Sequence, residues 1–328
     1  MKRLLAYLQL LRLPNVFTAM SDIFMGFLIA RGSLDPWYQF LSLLVASSSI
    51  YLAGMTLNDW FDIEVDRQER PQRPLPSGRV PRWHALAAGI GLMIVGLGLA
   101  ACVGATSRNV AVILVAAVWA YDGLLKNTLL GPACMGLCRA LNVLLGLSTT
   151  PAAIWLFDLA QAPAWRFGTT VAAGLGLYVM GVTRFARREA SSVPRADLLS
   201  STTGFNLGLL LIAMVPAFAS SIRGPLLGPD SPYWLTMDLQ PDAHAWWIRY
   251  GTAATIWVSV LLTTNLMVWR AVDSGTPGAI QQAVKTCILA IIAVDATVVA
   301  FVNGPLWAVA ILALLVPTLW LGRWVYST

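Results

Sequence analysis

The stretch "NDWFDIEVDRQERPQRPLPSGRV", from Asn58 to Val80, places five carboxylates and four arginines within 23 residues. It lies between two apolar runs at residues 37–57 and 84–106. Each run is close to the roughly 20 residues that a helix needs to cross a bilayer. We therefore interpret the stretch as a charged loop that joins two membrane-spanning helices.

The rest of the chain repeats this apolar character. Mean hydropathy is +0.68, only 12% of the 328 residues are charged and 14 are Trp, values typical of a polytopic membrane protein. Further apolar runs occur at residues 14–30, 109–125, 132–157, 167–186, 202–222, 248–270, 279–302 and 305–322. Lipid does not satisfy backbone polar groups, so we predict an all-α integral membrane protein, a bundle of nine or ten transmembrane helices. The count is open because only Asn303-Gly304-Pro305 separates the last two runs.

The basic residues predict an orientation. If the N-terminus is cytoplasmic, 17 of the 22 Lys and Arg residues lie on the cytoplasmic side, as the positive-inside rule requires. The net charge of +6 then reflects topology, and nucleic acid binding is not needed to explain it. We expect residues 1–328 to form one transmembrane domain in the bacterial inner (plasma) membrane, with cytoplasmic motif loops at residues 58–82 and 184–199.

Three oxygen-bearing side chains in the loop predict a metal site. Asn58, Asp62 and Asp66 are spaced by four residues, which on a continuing helix places them on one face. Mg²⁺ prefers oxygen ligands and is commonly bound by one or two carboxylates together with substrate phosphates. We expect Asn58 and Asp62 to hold Mg²⁺, with Asp66 as a further ligand or a support behind it. The alternative is that these charges are simply solvated.

The part of the loop that follows is rich in arginine. Pro71, Pro74, Pro76 and Gly78 prevent a simple helix, so we predict a folded loop that covers the acidic residues. Its arginines are suited to phosphate oxygens. Arg73, in the Arg-Pro-Leu-Pro-Ser-Gly turn, is the best candidate for a ligand contact, although some of these arginines serve only as positive-inside anchors.

The combined pattern resembles the signature of the UbiA superfamily of membrane prenyltransferases. That resemblance rests on N-D-x-x-D-x-x-x-D and R-P-L-P-S-G, which are Asn58, Asp59, Asp62, Asp66, Arg73, Pro74, Leu75, Pro76, Ser77 and Gly78. Other parts agree in type, namely Arg12-x-Pro14-Asn15, residues 121–128, Gly131-Pro132, Gly136, Arg139 and Asn142. Residues 121–127 and the ending Gly322-Arg323-Trp324-Val325-Tyr326-Ser327-Thr328 look most like the EboC branch.

The resemblance implies a reaction and a set of site residues. Such proteins move an isoprenyl group from a polyprenyl diphosphate to an aromatic or other acceptor, and magnesium holds the diphosphate. It implies catalytic roles for Asp62, Asp66, Arg73 and Lys126. It implies substrate contacts for Asn15, Asp59, Arg139 and Asn142. We expect the acceptor to be lipophilic and aromatic, and the sequence does not identify it.

The second acidic motif of the family is where the sequence departs. Family members usually show D-T-x-Y-A-x-x-D-x-x-x-D, but residues 182–189 read Val-Thr-Arg-Phe-Ala-Arg-Arg-Glu and the next expected carboxylate falls on Val193. In one interpretation Arg184, Arg187 and Arg188 neutralise the diphosphate, and Glu189 is the carboxylate that could substitute, with Asp197 a further candidate. In the other, the protein binds a prenyl lipid without turning it over.

Three more carboxylates are of interest. Asp22 and Asp295 are predicted inside spans, where a carboxylate is expensive and therefore a functional candidate. We expect Asp22 to face the acceptor or accept a proton, and Asp295 to be paired structurally. Asp122 precedes Lys126 by four residues, so the two side chains are candidates for an ion pair. We find no inverted repeat of the kind that supports transport.

Overall fold

The computed structural model describes residues 2–150, 163–187, 195–214 and 243–325, with the side chains of residues 2–3, 163–164, 195–200 and 243–246 excepted. Residues 188–194 of the predicted motif loop at 184–199, which include Arg188 and Glu189, lie outside the described residues.

The described chain is helical. Its helices are α1 (Lys2–Leu10), α2 (Val16–Arg31), α3 (Trp37–Phe61), α4 (Ile63–Glu69), α5 (Arg82–Val103), α6 (Ala105–Ala120), α7 (Gly131–Leu147), α8 (Pro163–Ala186), α9 (Arg195–Ala213), α10 (Ala243–Ser274), α11 (Pro277–Val302), α12 (Pro305–Leu312) and α13 (Leu315–Gly322). A 3₁₀ turn at Leu13–Asn15 leads into α2, and a π-turn at Tyr121–Leu125 continues α6. The predicted all-α fold class is confirmed.

Every predicted apolar run overlaps a helix. Seven helical segments of the described part are long and apolar enough to cross a membrane, and two shorter apolar helices lie at Gly131–Leu147 and Ser201–Ala213. The last run is divided into α12 and α13. The protein is thus an integral membrane protein, while the count of nine or ten spans stays a prediction.

Helix burial distinguishes the central helices of the bundle from the peripheral ones. The apolar window of the first span, which contains α2, is 72% buried, whereas those of α5 and of the α6 span are 22% and 17% buried. The first span is therefore central, and α5 and α6 present most of their surface to lipid. The motif loops, where α3, α6 and α8 end, lie at one end of the bundle.

Close helix approach depends on small residues. A Cβ added at Gly136 on α7 would collide with the carbonyl oxygen of Gly176 on α8. Small residues at such crossings let two backbones approach within a membrane, where packing rather than the hydrophobic effect drives association. The crossing sets the position of α7, which carries Arg139 and Asn142.

Candidate active site

A cavity of about 370 Å³ opens between α2, α3, α6, α7, α8 and α11. Much of its wall is apolar, with Ile50, Leu114, Val118, Val182, Ile288 and Ile291. Its polar lining includes Arg12, Asn15, Asn58, Asp122, Arg139 and Asn142. A mostly apolar cavity with a few convergent polar groups is the usual form of a ligand site.

The helix that was predicted to carry Asn58, Asp62 and Asp66 is interrupted at Asp62. Helix α3 ends at Phe61, and Asp62 has a ψ of 4° before α4 begins at Ile63. The assumption of one continuous helix from Asn58 to Asp66 was therefore wrong. The interruption is confined to Asp62, because its amide donates to the Asn58 carbonyl over 3.0 Å and the Asp66 amide donates to the Asp62 carbonyl over 2.8 Å.

Lys126 is the hydrogen-bond partner of both Asn58 and Asp62. Its Nζ donates to Asn58 Oδ1 and to Asp62 Oδ2. The half-buried side chain reaches this position from the end of the π-turn, where the Lys126 amide donates to the Tyr121 carbonyl over 2.9 Å. π-turns of this kind are frequent at functional sites.

The predicted pair between Asp122 and Lys126 is absent among the described contacts. Lys126 has turned to Asp62, and Asp122 Oδ2 is buried without a hydrogen-bond partner in the described part of the chain. The wider π-turn changes the register on which a pairing of residues four apart depends.

Asp66 and Asp59 form a separate buried network with two arginines. Arg73 Nη1 lies 2.7 Å from Asp66 Oδ2 and 3.4 Å from Asp59 Oδ1, and Arg12 Nη2 lies 2.7 Å from the same Asp59 oxygen. Burial by itself lowers the pKa of Arg12, but the Asp59 carboxylate outweighs that effect and the pKa is raised. Asp66 therefore pairs with Arg73 and not with the Lys126 ammonium group that Asn58 and Asp62 share. The Arg73 ion pair holds the arginine-rich loop against the acidic segment.

Arg12 has an unusual backbone conformation. Its φ of 46° and ψ of 44° lie in the left-handed region, which costs a residue with a side chain of order 1 kcal/mol. The turn points the guanidinium back to Asp59, whose ion pair offsets this cost. The sequence suggested no partner for Arg12, because the two residues are 47 positions apart.

The loop after α4 is folded, as predicted. Ser77 Oγ donates to the Arg73 carbonyl over 2.6 Å, and the Val80 amide donates to the Pro74 carbonyl over 3.1 Å. Gly78 has a φ of 70°, a conformation that glycine adopts without a steric cost. Leu75 and Val80 are buried against α1 and α4, so the loop is anchored by apolar contacts as well.

A second polar cluster lies deeper in the bundle. Arg139 Nη1 and Asn142 Nδ2 donate to Asp22 Oδ2 over 2.7 and 2.8 Å, and Arg139 also donates to Thr18. Ser47 Oγ donates to Asn142 Oδ1 over 2.6 Å. Ser47 and Asn58 both line the cavity from α3, about 16 Å apart along the helix axis at 1.5 Å per residue.

The buried carboxylates are arranged behind this cluster. Asp22 is fully buried and covered on one side by Arg139 and Asn142, which themselves line the cavity. Asp295 accepts a hydrogen bond from Ser21 Oγ over 2.5 Å. The roles of Thr18, Ser21 and Ser47 were not evident from the sequence, because hydroxyl residues are common in spans.

The two described arginines of the second-motif segment, Arg184 and Arg187, have different surroundings. Arg187 Nη1 donates to the Thr128 carbonyl over 2.6 Å and Nη2 donates to the Lys126 carbonyl. Arg184 is exposed and takes part in another interaction. Arg187 thus binds the loop that carries Lys126.

Asn58, which lines the cavity, and the neighbouring Asp62 have oxygens suited to a divalent cation. Asn58 Oδ1 and Asp62 Oδ2 already converge on one ammonium group, so their oxygens can face a shared positive charge. No group of three or more His, Cys, Asp or Glu side chains that could hold a metal occurs within the described ranges. Mg²⁺ commonly completes its coordination with water and substrate phosphates, so two protein oxygens fit it.

Fold and site together define a polytopic helical membrane protein with a largely apolar cavity that several polar groups line. The chain belongs to the UbiA prenyltransferase family, whose model matches residues 19–272.

Curated relatives are named digeranylgeranylglyceryl phosphate synthases. The protein from Metallosphaera sedula is 32% identical over 222 residues, covering 67% of this chain and 75% of the relative. That from Sulfurisphaera tokodaii is 34% identical over 143 residues, covering 43% and 51%. The chain spans about half the length of the latter.

Solved structures share the fold. A UbiA homolog from Aeropyrum pernix K1 has a TM-score of 0.61 at 16% identity, covering 87% of this chain and 96% of the homolog. A UbiA homolog from Archaeoglobus fulgidus bound to GPP and Mg²⁺ has a TM-score of 0.58 at 13% identity, covering 94% and 99%.

Proposed function

We propose that this protein transfers an isoprenyl group from a polyprenyl diphosphate to a lipophilic acceptor, with Mg²⁺ bound by Asn58 and Asp62. The observation that carries the proposal is the convergence of Lys126 and Asp62 on Asn58, a residue that lines the apolar cavity. Lys126 supplies positive charge for a diphosphate, and the cavity supplies an apolar surface for its tail.

The chemistry follows from where charge develops. The bond between C1 of the isoprenyl group and the diphosphate oxygen breaks, and the diphosphate leaves with the electron pair. The acceptor donates an electron pair to C1 and loses a proton. Positive groups held where the leaving oxygens gain charge lower the barrier.

Each site residue has a part in this step. Bound Mg²⁺ would supply Lewis-acid stabilisation of the departing diphosphate. Lys126 donates hydrogen bonds to the same oxygens once the diphosphate draws it from Asp62. Arg12 and Arg73 keep Asp59 and Asp66 in place, and Asn15 lines the cavity.

The deep cluster is our candidate for acceptor binding. Arg139 and Asn142 line the cavity, and Asp22 behind them holds both side chains. The sequence predicted an aromatic acceptor, whereas the names of the relatives describe synthesis of a glyceryl phosphate lipid. A guanidinium binds either a carboxylate or a phosphate, so both acceptor classes belong in the test.

One observation favours a second function, binding of a polyprenyl lipid without turnover. Valine stands at two of the three acidic positions of the second motif, Val182 and Val193, and Lys126 donates to both Asn58 and Asp62. The binding of diphosphate by Arg184, Arg187, Arg188 and Glu189 stays a prediction. Membership of the EboC-like branch also stays a prediction, as do the location in the bacterial inner membrane and the cytoplasmic orientation of the N-terminus and motif loops.

Diphosphate release tests the proposal. Purified protein in lipid nanodiscs would receive Mg²⁺, geranylgeranyl diphosphate and either geranylgeranylglyceryl phosphate or a phenolic acid. We expect release by the wild type and a loss of at least about 10²-fold in Asp62→Ala. Glu64→Ala, an exposed carboxylate on the same loop, is the matched control. Release that is equal in wild type and Asp62→Ala, or absent from both, contradicts catalysis.

A further inference from the structure

Two of the carboxylates nearest to the cation site are already neutralised. Asp59 is paired with Arg12 and Arg73, and Asp66 is paired with Arg73. Within the described residues, Asp62 is the carboxylate of the loop that shares a partner, Lys126, with the cavity-lining residue Asn58. Without a bound diphosphate, one carboxylate and one amide balance only one of the two positive charges of a divalent cation.

Asp122, in contrast to Asp59 and Asp66, forms no ion pair in the described part of the chain. It lies in the π-turn Tyr121–Leu125, lines the same cavity as Asn58, and is 9% exposed. Its Oδ2 atom is buried and has no hydrogen-bond partner in the described part of the chain. Lys126 and Asp62 are among the charged groups that act on it.

A buried carboxylate without a partner is unfavourable unless something else supplies positive charge. Lys126 lies four residues away but makes its ion pair with Asp62. Asp122 lines the cavity, so a cation bound there would satisfy its unpaired oxygen. A small cation suits this position, because the wall of the same cavity also carries the side-chain oxygen of Asn58.

We propose that Asp122 is a ligand of the divalent cation, opposite Asn58 and Asp62, and that it supplies the carboxylate missing from the second acidic motif. Two carboxylates then balance the two positive charges of the cation. The ammonium of Lys126 is released from Asp62 to the diphosphate. The identity of the cation as Mg²⁺ rests on the proposed function, but the role of Asp122 as a cation ligand does not.

Binding of Mn²⁺, a paramagnetic substitute for Mg²⁺, tests this role without turnover. Electron paramagnetic resonance would measure free Mn²⁺ in titrations of the purified protein in nanodiscs, with and without inorganic diphosphate. We expect Asp122→Asn and Asp62→Asn each to weaken binding at least about tenfold, in the range that disturbed metal sites show. Glu64→Gln should bind as the wild type does.

Asp122→Ser provides a second variant if Asp122→Asn is not stable, and thermal unfolding and gel filtration would confirm that each variant is folded. An Asp122 variant that is folded and binds Mn²⁺ within twofold of the wild type overturns the proposal, as does a wild type that binds no Mn²⁺. Mn²⁺ binding that depends on Asp122 in a protein without turnover would instead refute the proposed catalysis and keep this site.

Discussion

The Lys126 ammonium lies against the Asp62 carboxylate, although the two residues are 64 positions apart in the chain. The pair joins the end of α3 to the turn after α6, and both side chains are 23% exposed. A cation that is part of the protein thus occupies the position where the sequence predicted Mg²⁺. Binding of a metal and a diphosphate there requires Lys126 to exchange one anionic partner for another.

Replacing Lys126 with Met tests this exchange. We expect diphosphate release to fall by about 10²-fold, because one fixed positive group at the leaving oxygens is lost. Mn²⁺ affinity without diphosphate should rise in the same variant, because the competing cation is gone. Lys285→Met, at an exposed position on α11, is the control. A Lys126→Met variant with both activity and metal affinity unchanged would contradict this role.

Arg73 and Asp66 provide a test of structural pairing. We expect Arg73→Ala to lower the free energy of unfolding by about 3–5 kcal/mol, because a buried carboxylate loses its partner. Thermal unfolding in detergent would measure the change. Asp66→Asn added to Arg73→Ala should recover part of the stability if the pair is structural. No recovery, with a raised KM for prenyl diphosphate as the main effect, would instead support the predicted ligand contact by Arg73.

Arg187 connects the second-motif region to the Lys126 loop. We expect Arg187→Ala to increase hydrogen exchange of the amides at residues 126–131, since the Lys126 and Thr128 carbonyls lose their donor. Diphosphate release should fall as Lys126 loses its fixed position. Arg184→Ala is the comparison, because a role in diphosphate binding alone would raise KM and leave the exchange rates unchanged.

Two glycines on α5 form a matched pair for packing. A Cβ at Gly96 would lie 2.9 Å from the Ala46 carbonyl oxygen on α3, whereas a Cβ at Gly98 meets no atom within 4 Å. Gly96→Ala should therefore destabilise the protein by about 1–3 kcal/mol through overpacking. Gly98→Ala should be neutral or slightly stabilising, because alanine favours a helix. Equal thermal unfolding temperatures for the two variants would show that α3 and α5 are not as closely packed as described.

The candidate site was predictable where its geometry is local. Asn58 and Asp62 lie one helical turn apart, so their shared face follows from the period of the helix. The folding of the Arg-Pro-Leu-Pro-Ser-Gly loop follows from its prolines and Gly78. Asp66 was assigned less well, because nothing in its spacing showed that it would pair with Arg73.

The sequence by itself determined the membrane-spanning helical class and the location of one polar site between α3 and α5, since hydropathy and helical spacing are properties of neighbouring residues. Only the tertiary structure decided which charges meet. Lys126 with Asp62, Arg12 with Asp59, and Asn142 with Ser47 are 64, 47 and 95 positions apart. Electrostatic energy depends on distance and burial in the folded bundle, and the packing of α3 against α7 and the π-turn sets both.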